Sequence, residues 1–465
     1  MEEVAPHRQA MDQSDSLDNL FTRWQRAATL RIQSQRTGRI SDLDEAASIY
    51  RDIAAHALSN RGVVFHDRFE HTNRRKDLDE AVSMQRDALA LRPEPHPDRS
   101  SSLDRLAAAL HARFRLTDQQ SDIDDAVDIH RDALRLRPPR HPERTSALSN
   151  LATALLTRFR RTGELDDLEK AISLTQTALS LRPETHPDQP SILNNLATMV
   201  YALFHVTYQD SDLVEVISLY KRVLSLQLDP HPDRSYSLIN LAAALRTQYH
   251  QTDQRSHLDK AIDYCEQAIK ELPSDHPRVC TASGTLGTVY MDRFDNTIKA
   301  LRTGATIERD WEAEEDLIKS RDALRTAAHC ETARVIDRLG FAKLWATLYP
   351  PDGSAMEAYR TAIRLLPRLA TIDLDLESRQ ESLRVHTDGL AREAAAYAIQ
   401  SQKSPRPLSF SKKAEAISGH WHFNCAHHWM NLNLKIKTSP RDSALSPVHS
   451  SRVLIEMSQG RRRNQ

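Results

Sequence analysis

Apolar residues recur along this chain at two spacings at once. Within Thr145–Thr162, residues Leu148, Leu151, Ala152, Leu155, Leu156 and Phe159 lie three and four apart, which makes one stripe along an α-helix. Leu165–Leu181 presents a second stripe through Leu168, Ala171, Ile172, Thr175, Ala178 and Leu179. Arg182-Pro183 stops that helix, because proline lacks the N–H the ladder needs and disfavours helical backbone at the residue before it. The longer spacing is 45 residues, and it carries the whole unit from about Leu58 to Phe294. His-Pro recurs at His96, His141, His186, His231 and His276. Leucines at 106, 151, 196, 241 and 286 keep the same step, as does an aromatic at Phe69, Phe114, Phe159, Phe204, Tyr249 and Phe294.

A unit of two amphipathic helices cannot bury its own core, so each pair must lean on its neighbours, and a period in this range predicts a solenoid. Each first helix is expected to open at its His-Pro, with Glu143 placing negative charge in the first turn. The fold expected is all-α: a right-handed α-solenoid of helix pairs with a helical C-terminal cap and a disordered tail.

The spacings resemble a known family. Leu148, Leu151, Ala152 and Leu155 stand where the tetratricopeptide-repeat (TPR) signature has its Trp, Leu, Gly and Tyr. Ala171, Ala178 and Pro183 stand where it has two interior alanines and a terminal proline. The unit is longer than the usual TPR, and the second-helix aromatic survives only as Tyr50 and Tyr220. Over roughly residues 17–400 the chain resembles the repeat arm of fungal TPR proteins that carry a C-terminal caspase-like (CHAT) domain. No such domain is expected here, since the residues after Gln402 are too few for it and show no strand–helix alternation.

Four regions are expected. Residues 1–57 form a disordered start and a degenerate repeat, beginning with a helix at Leu17–Thr37. Leu43 to Leu78 is only 35 residues, so Tyr50–Asn60 joins two helices with almost no loop, and the expected outcome is a frayed end rather than a merged helix. Residues 58–295 are the repeat array, and past Phe294 the period stops. Residues 296–402 form a helical cap, with helices at Trp311–Ala328 (Trp311, Leu317 and Leu324 inward), Arg334–Leu348, Ala355–Leu366 and within Ile372–Gln402. Residues 403–465, rich in Ser, Pro and basic residues, are either a disordered tail or the product of an altered reading frame.

Composition narrows the function classes. Sixty-three basic against 64 acidic residues leave a net charge of −1, which gives no reason to expect nucleic acid or an anionic membrane as partner, and no basic stripe is visible. Cys265, Cys280, Cys330 and Cys425 have no paired spacing, which points to a reducing, cytoplasmic setting. The N-terminus has no apolar signal core, and no run is long enough to span a bilayer.

Three constellations bear on chemistry. His420, His422, Cys425, His427 and His428 include Zn²⁺ and Cu ligand types, but their spacing matches no established finger. They are read as part of an unstructured tail, with no metal, cofactor or catalytic residue assigned. The five His-Pro histidines form either a pH-sensitive ladder or, more simply, rings packed over the turn before each first helix. Asn150, Asn195 and Asn240 precede the core leucines of three successive first helices, where other residue types favour helix more. In TPR proteins the first helices line the concave groove, and the resemblance implies that such amides hold an extended peptide, one amide both donating and accepting. Ser149, Thr153, Asn194, Thr198 and Tyr201 would shape the groove beside them. The alternative is that the asparagines bond within their own repeat or face solvent. The function expected is a non-enzymatic scaffold binding a protein or peptide ligand, the alternative being the regulatory arm of a CHAT-type protease system.

Overall fold

The computed structural model describes residues 17–72, 74–227, 231–302, 310–348, 354–370 and 390–403, and among these the regular structure is sixteen α-helices. They are α1 (Leu17–Thr37), α2 (Ile40–Thr72), α3 (Arg75–Ala90), α4 (Arg99–Thr117), α5 (Gln120–Arg135), α6 (Arg144–Thr162), α7 (Leu165–Ser180) and α8 (Gln189–Thr207). They continue as α9 (Asp210–Leu226), α10 (Arg234–Thr252), α11 (Arg255–Glu271), α12 (Arg278–Arg302), α13 (Asp310–His329), α14 (Val335–Thr347), α15 (Ser354–Ala370) and α16 (Leu390–Lys403). Each helix packs on the next in sequence from α1 through α15, and α16 rests on α15. The architecture is an all-α solenoid of stacked helix pairs.

The stripes read from sequence are the ones buried. Leu148, Leu151, Ala152, Leu155 and Phe159 on α6 are at most 4% exposed, and Leu168, Ala171 and Ala178 on α7 are fully enclosed. Burying a side chain of leucine size stabilises by about 1.5–3 kcal/mol, so each unit draws most of its stability from these columns. The core around α6 also takes in Phe114 of α4, Ile123 of α5 and Met199 of α8, so no pair closes its core alone. Alanine at 152, 171 and 178 sets how closely helices approach, since each has no exposed surface at all.

The helix boundaries have local causes. First helices α4, α6, α8 and α10 end in a left-handed residue, Asp118, Gly163, Tyr208 and Asp253, whose N–H bonds the carbonyl of the aromatic four back. The prolines of the His-Pro steps lie in the preceding turn instead of the first helical position. Glu143 is accordingly the N-cap residue of α6, and its carboxylate bonds Arg137 at 2.8 Å rather than sitting in the first turn.

All five His-Pro histidines do one structural job. Nδ1 of His96, His141, His186, His231 and His276 accepts the backbone N–H two residues on, at 3.1–3.2 Å. The ring thus satisfies a donor that the start of a helix leaves open.

Two expectations are corrected. The N-terminal unit does not fray: Ile40–Thr72 is one continuous helix of 33 residues, because the stretch through Tyr50–Asn60 has neither the proline nor the glycine that would stop it. Trp311 does not face inward but is 64% exposed, whereas Leu324 is fully buried. Beyond Phe294, helix pairing continues without the 45-residue period. Helices α12 and α13 pack as a further pair, with Ser320 Oγ donating to the carbonyl of Gly287 at 2.7 Å, and α14 with α15 follow as another. Most of the segment 372–402, and the histidine and cysteine cluster at 420–428, lie outside the described residues.

Candidate functional site: the inner face of the first helices

Successive first helices touch directly, α2 with α4, α4 with α6, α6 with α8 and α10 with α12. Among the described residues no comparable packing joins α3, α5, α7, α9 and α11 to one another. The first helices therefore line the inner side of the curve. Polar bonds between residues 46 apart mark this face. Arg105 Nη1 donates to Ser59 Oγ at 2.8 Å, His111 Nε2 meets Thr157 Oγ1 at 3.0 Å, and Tyr201 OH meets Thr247 Oγ1 at 2.6 Å. Further along, Arg246 Nε donates to Asp292 Oδ2 at 2.5 Å, and His250 Nε2 lies 3.0 Å from the same oxygen. Burial alone would raise the Asp292 carboxyl, but Arg246 and His250 hold it below its ordinary value.

The eight residues singled out from sequence lie on α6, α8 and α10. Asn150, Asn195 and Asn240 are half-buried, and their side chains make no hydrogen bond to another described residue. Asn194 is more enclosed, and its Oδ1 has no partner among the described residues. Ser149 is half-buried. Thr153 and Thr198 return their hydroxyl protons to the carbonyls four residues back, Ser149 and Asn194, each at 2.9 Å, and Thr198 also meets Tyr220 OH at 3.2 Å. Tyr201 is a brace as well as a wall, because its hydroxyl ties α8 to α10 and burial raises its pKa. His205 packs edge-on against it at 4.6 Å, and burial holds the imidazole below its ordinary pKa.

Two parts of the face are not apparent from the sequence alone. Asn60 stands one step before Arg105 in the asparagine column, with Nδ2 2.9 Å from His56 Nε2 and Oδ1 unpartnered; the 45-residue period is the signal that points to it. Behind the face at α4, buried Asp104 accepts from His130 Nδ1 at 3.0 Å and pairs with Arg137. Burial works against this carboxylate, while the His130 hydrogen bond and the Arg137 charge keep its pKa low. No sequence signal announces this network, because the equivalent positions, Ser59 with Gln85 in one unit and Asn194 with Tyr220 in another, carry different residue types.

One cluster elsewhere has the donor set of a cation site. Asp52, His96 and Asp98 bring three ligand atoms within 4.8 Å of one another. Arg23 already pairs with Asp52, and Arg92 lies 3.8 Å from Asp52 and 3.6 Å from Asp98. These guanidinium groups supply the countercharge, so the arrangement is an ion-pair network. No described helix is long and apolar enough to cross a membrane.

Stacked two-helix units with their first helices turned inward define a helical-repeat protein of the α-solenoid class. The tetratricopeptide-repeat family model matches one unit of it, residues 144–188, which is α6, α7 and the turn through Asp188. Among solved structures, nearly identical TPR-like repeats from Podospora anserina align at 19% identity over 49% of this chain and 96% of theirs, with a TM-score of 0.34. BtubC (BKLC) from P. vanneervenii aligns at 19% identity over 56% of this chain and 91% of its own, TM-score 0.33. A monomeric IFIT1 mutant with m7Gppp-AAAA aligns at 12% identity over 87% and 83%, TM-score 0.39. At these scores the likenesses carry no argument about partners. No curated protein matches the chain.

Proposed function

We propose that this chain is a non-enzymatic scaffold, working in the cytoplasm, that holds an extended segment of a protein partner along the inner face of α6, α8 and α10. The carrying observation is the column Asn150, Asn195 and Asn240. Three half-buried amides stand at equivalent places on neighbouring helices with no hydrogen bond to another described residue. An amide offers one acceptor and two donors, which matches a peptide backbone unit. The unpartnered Oδ1 of Asn194 adds an enclosed acceptor beside them.

The test is the triple substitution Asn150→Ala, Asn195→Ala and Asn240→Ala. Removing each hydrogen bond to the partner's backbone costs about 0.5–1.5 kcal/mol, so partner binding should weaken by roughly one to three orders of magnitude. The melting midpoint should hardly move, since alanine is the better helix former. Retained partners with a lowered midpoint would make the asparagines structural and send the search to the outer face or the loops.

A further inference from the structure

Neighbouring units are tied at their turn ends by an arginine near the end of the first helix, but not at every joint. Arg113 Nη1 reaches Asp79 at 3.3 Å, Arg158 Nη1 reaches Asp124 at 3.3 Å, and Arg293 Nη1 reaches Asp259 at 3.0 Å. The units between them place Leu203 and Gln248 where the arginine stands. Leu203 compensates, because it packs on the core that runs from α4 to α8. Gln248 has no such substitute. Opposite it, where Asp79, Asp124 and Asp259 stand elsewhere, is Val214, which is 59% exposed. A valine offers no acceptor, so no bond of this kind crosses the joint between α9 and α10. A second tie follows the same course. Arg161 meets Asp118 at 3.1 Å and Lys299 meets Asp253 at 3.9 Å, whereas the equivalent residues at this joint are Gln251 and Tyr208, neither of them charged. The turn inside each unit stays closed all the same, by Thr207 on Asp212 at 2.8 Å and Thr252 on His257 Nδ1 at 3.2 Å.

The packing of the first helices marks the same joint independently. They pack directly at α2–α4, α4–α6, α6–α8 and α10–α12, and less closely at α8–α10. There the tie is the hydroxyl of Tyr201, which meets Thr247 Oγ1 at 2.6 Å and the Ala243 carbonyl at 3.5 Å. The other end of the joint is held. Arg234 at the start of α10 donates to the carbonyls of Leu224 at 3.1 Å and Gln227 at 2.6 Å, and α9 packs along α10.

We infer that the joint between α9 and α10 is a hinge, which pivots near Arg234 and opens at the turn end between Val214 and Gln248. Packed helix pairs move as bodies, and their relative motion gathers where the fewest bonds cross from one to the next. The array is then two stiffer arms, one ending at α9 and one beginning at α10. Asn195 lies on α8 and Asn240 on α10, one on each arm. Opening the hinge therefore changes the spacing of two of the three amides in the proposed groove, so that closure of the arms grips a partner and opening releases it. The hinge stands without the peptide-binding role, while its bearing on the groove rests on that reading.

The experiment is double electron–electron resonance on the full-length chain, with nitroxides carried by non-natural residues so that the native cysteines stay unlabelled. One labelled pair replaces Glu215 and Lys260, exposed equivalents on α9 and α11 that span the hinge. The control pair replaces Asp125 and Lys170, the same places on α5 and α7, across the joint that Arg158 ties. The distribution for Glu215/Lys260 should extend to longer distances than that for Asp125/Lys170. The variant Val214→Asp/Gln248→Arg/His257→Asp copies the Arg158 arrangement into the joint and should remove the extension, with thermal melts checking that it folds. Equal distributions for the two pairs would overturn the hinge, and that comparison does not depend on the tie variant folding. An extension that persists in a folded tie variant would overturn the missing tie as its cause. The asparagine triple variant tests the groove separately: partner binding lost there, with equal distributions here, removes the hinge and leaves the groove.

Discussion

Arg158 grips Asp167 with two parallel bonds, Nε to Oδ2 and Nη2 to Oδ1, each 2.7 Å, across the turn that joins α6 to α7. Its remaining nitrogen reaches Asp124 of the preceding pair at 3.3 Å. One guanidinium thus closes its own unit and bolts it to the one before. The arrangement recurs at Arg113 with Asp122 and Asp79, and at Arg293 with Asp316 and Asp259.

Removing Arg158 should therefore cost more than a surface ion pair does. Asp167 is only 6% exposed and would be left without its bidentate partner. Arg158→Ala is expected to lower stability by about 1.5–3 kcal/mol, and the double variant with Asp167→Ala by less than the sum of the two. Urea midpoints of the three variants measure this; simple additivity would show that the pair contributes nothing as a pair.

The His96 cap makes its own end of the array acid-sensitive. Burial depresses the His96 pKa, with Arg92 and Arg23 adding to that and Asp98 opposing it. Nδ1 accepts the Asp98 N–H, and Nε2 lies 3.2 Å from Asp52, which fits the neutral ring. The folded state binds the proton less readily than the unfolded chain, so this contribution is complete above about pH 6.5 and declines as pH falls below it toward the lower folded value. Melting curves between pH 7.5 and 5.5 should shift down with acid for wild type and less for His96→Asn, whose amide oxygen keeps an acceptor but does not titrate. At neutral pH, His96→Ala should cost roughly 0.5–2 kcal/mol, by analogy with the loss of a helix cap.

Ala178 is fully enclosed between helices, beside Leu148 and Ile192. Ala178→Trp forces that packing apart and should destabilise by at least about 1–3 kcal/mol, read as a lowered thermal midpoint. An unchanged midpoint would mean the facing surfaces are misassigned.

Gly284 on α12 lies under the ring of Phe341 on α14. A Cβ placed there would stand 2.1 Å from the ring tip. Gly284→Val should cost about 1–3 kcal/mol, and Phe341→Ala should recover part of that loss, giving a coupling energy in a double-mutant cycle. Independent effects would show that the ring swings aside freely.

What is legible in the sequence is what is local and repeated. The stripe through Leu148, Leu151, Leu155 and Phe159 defines its helix without help from the rest of the fold, and the same residues are buried. The unit formed by α12 and α13 is hidden from the period. Its Arg293 and Asp316 are 23 residues apart, where Arg158 and Asp167 are 9 apart, so an insertion masks a bond that the fold restores. The continuity of the helix through Tyr50–Asn60 is obscured for another reason. A missing linker suggests weakness, although a stretch free of helix breakers simply continues. On the inner face, the asparagine column is visible because one residue type repeats. The bonds of Tyr201 to Thr247 and Arg246 to Asp292 are not, because each unit fills those places differently.

The 33-residue helix α2 belongs to two neighbouring units at once. Linear arrays of this kind ordinarily peel from their ends, one module at a time, because only side-chain packing couples a terminal module to the next. Here the coupling is a shared covalent rod, so the first module has no joint at which to detach. Amide hydrogen exchange should show residues 40–55 opening together with residues 56–72, and the end that carries this rod should act as the array's clamp.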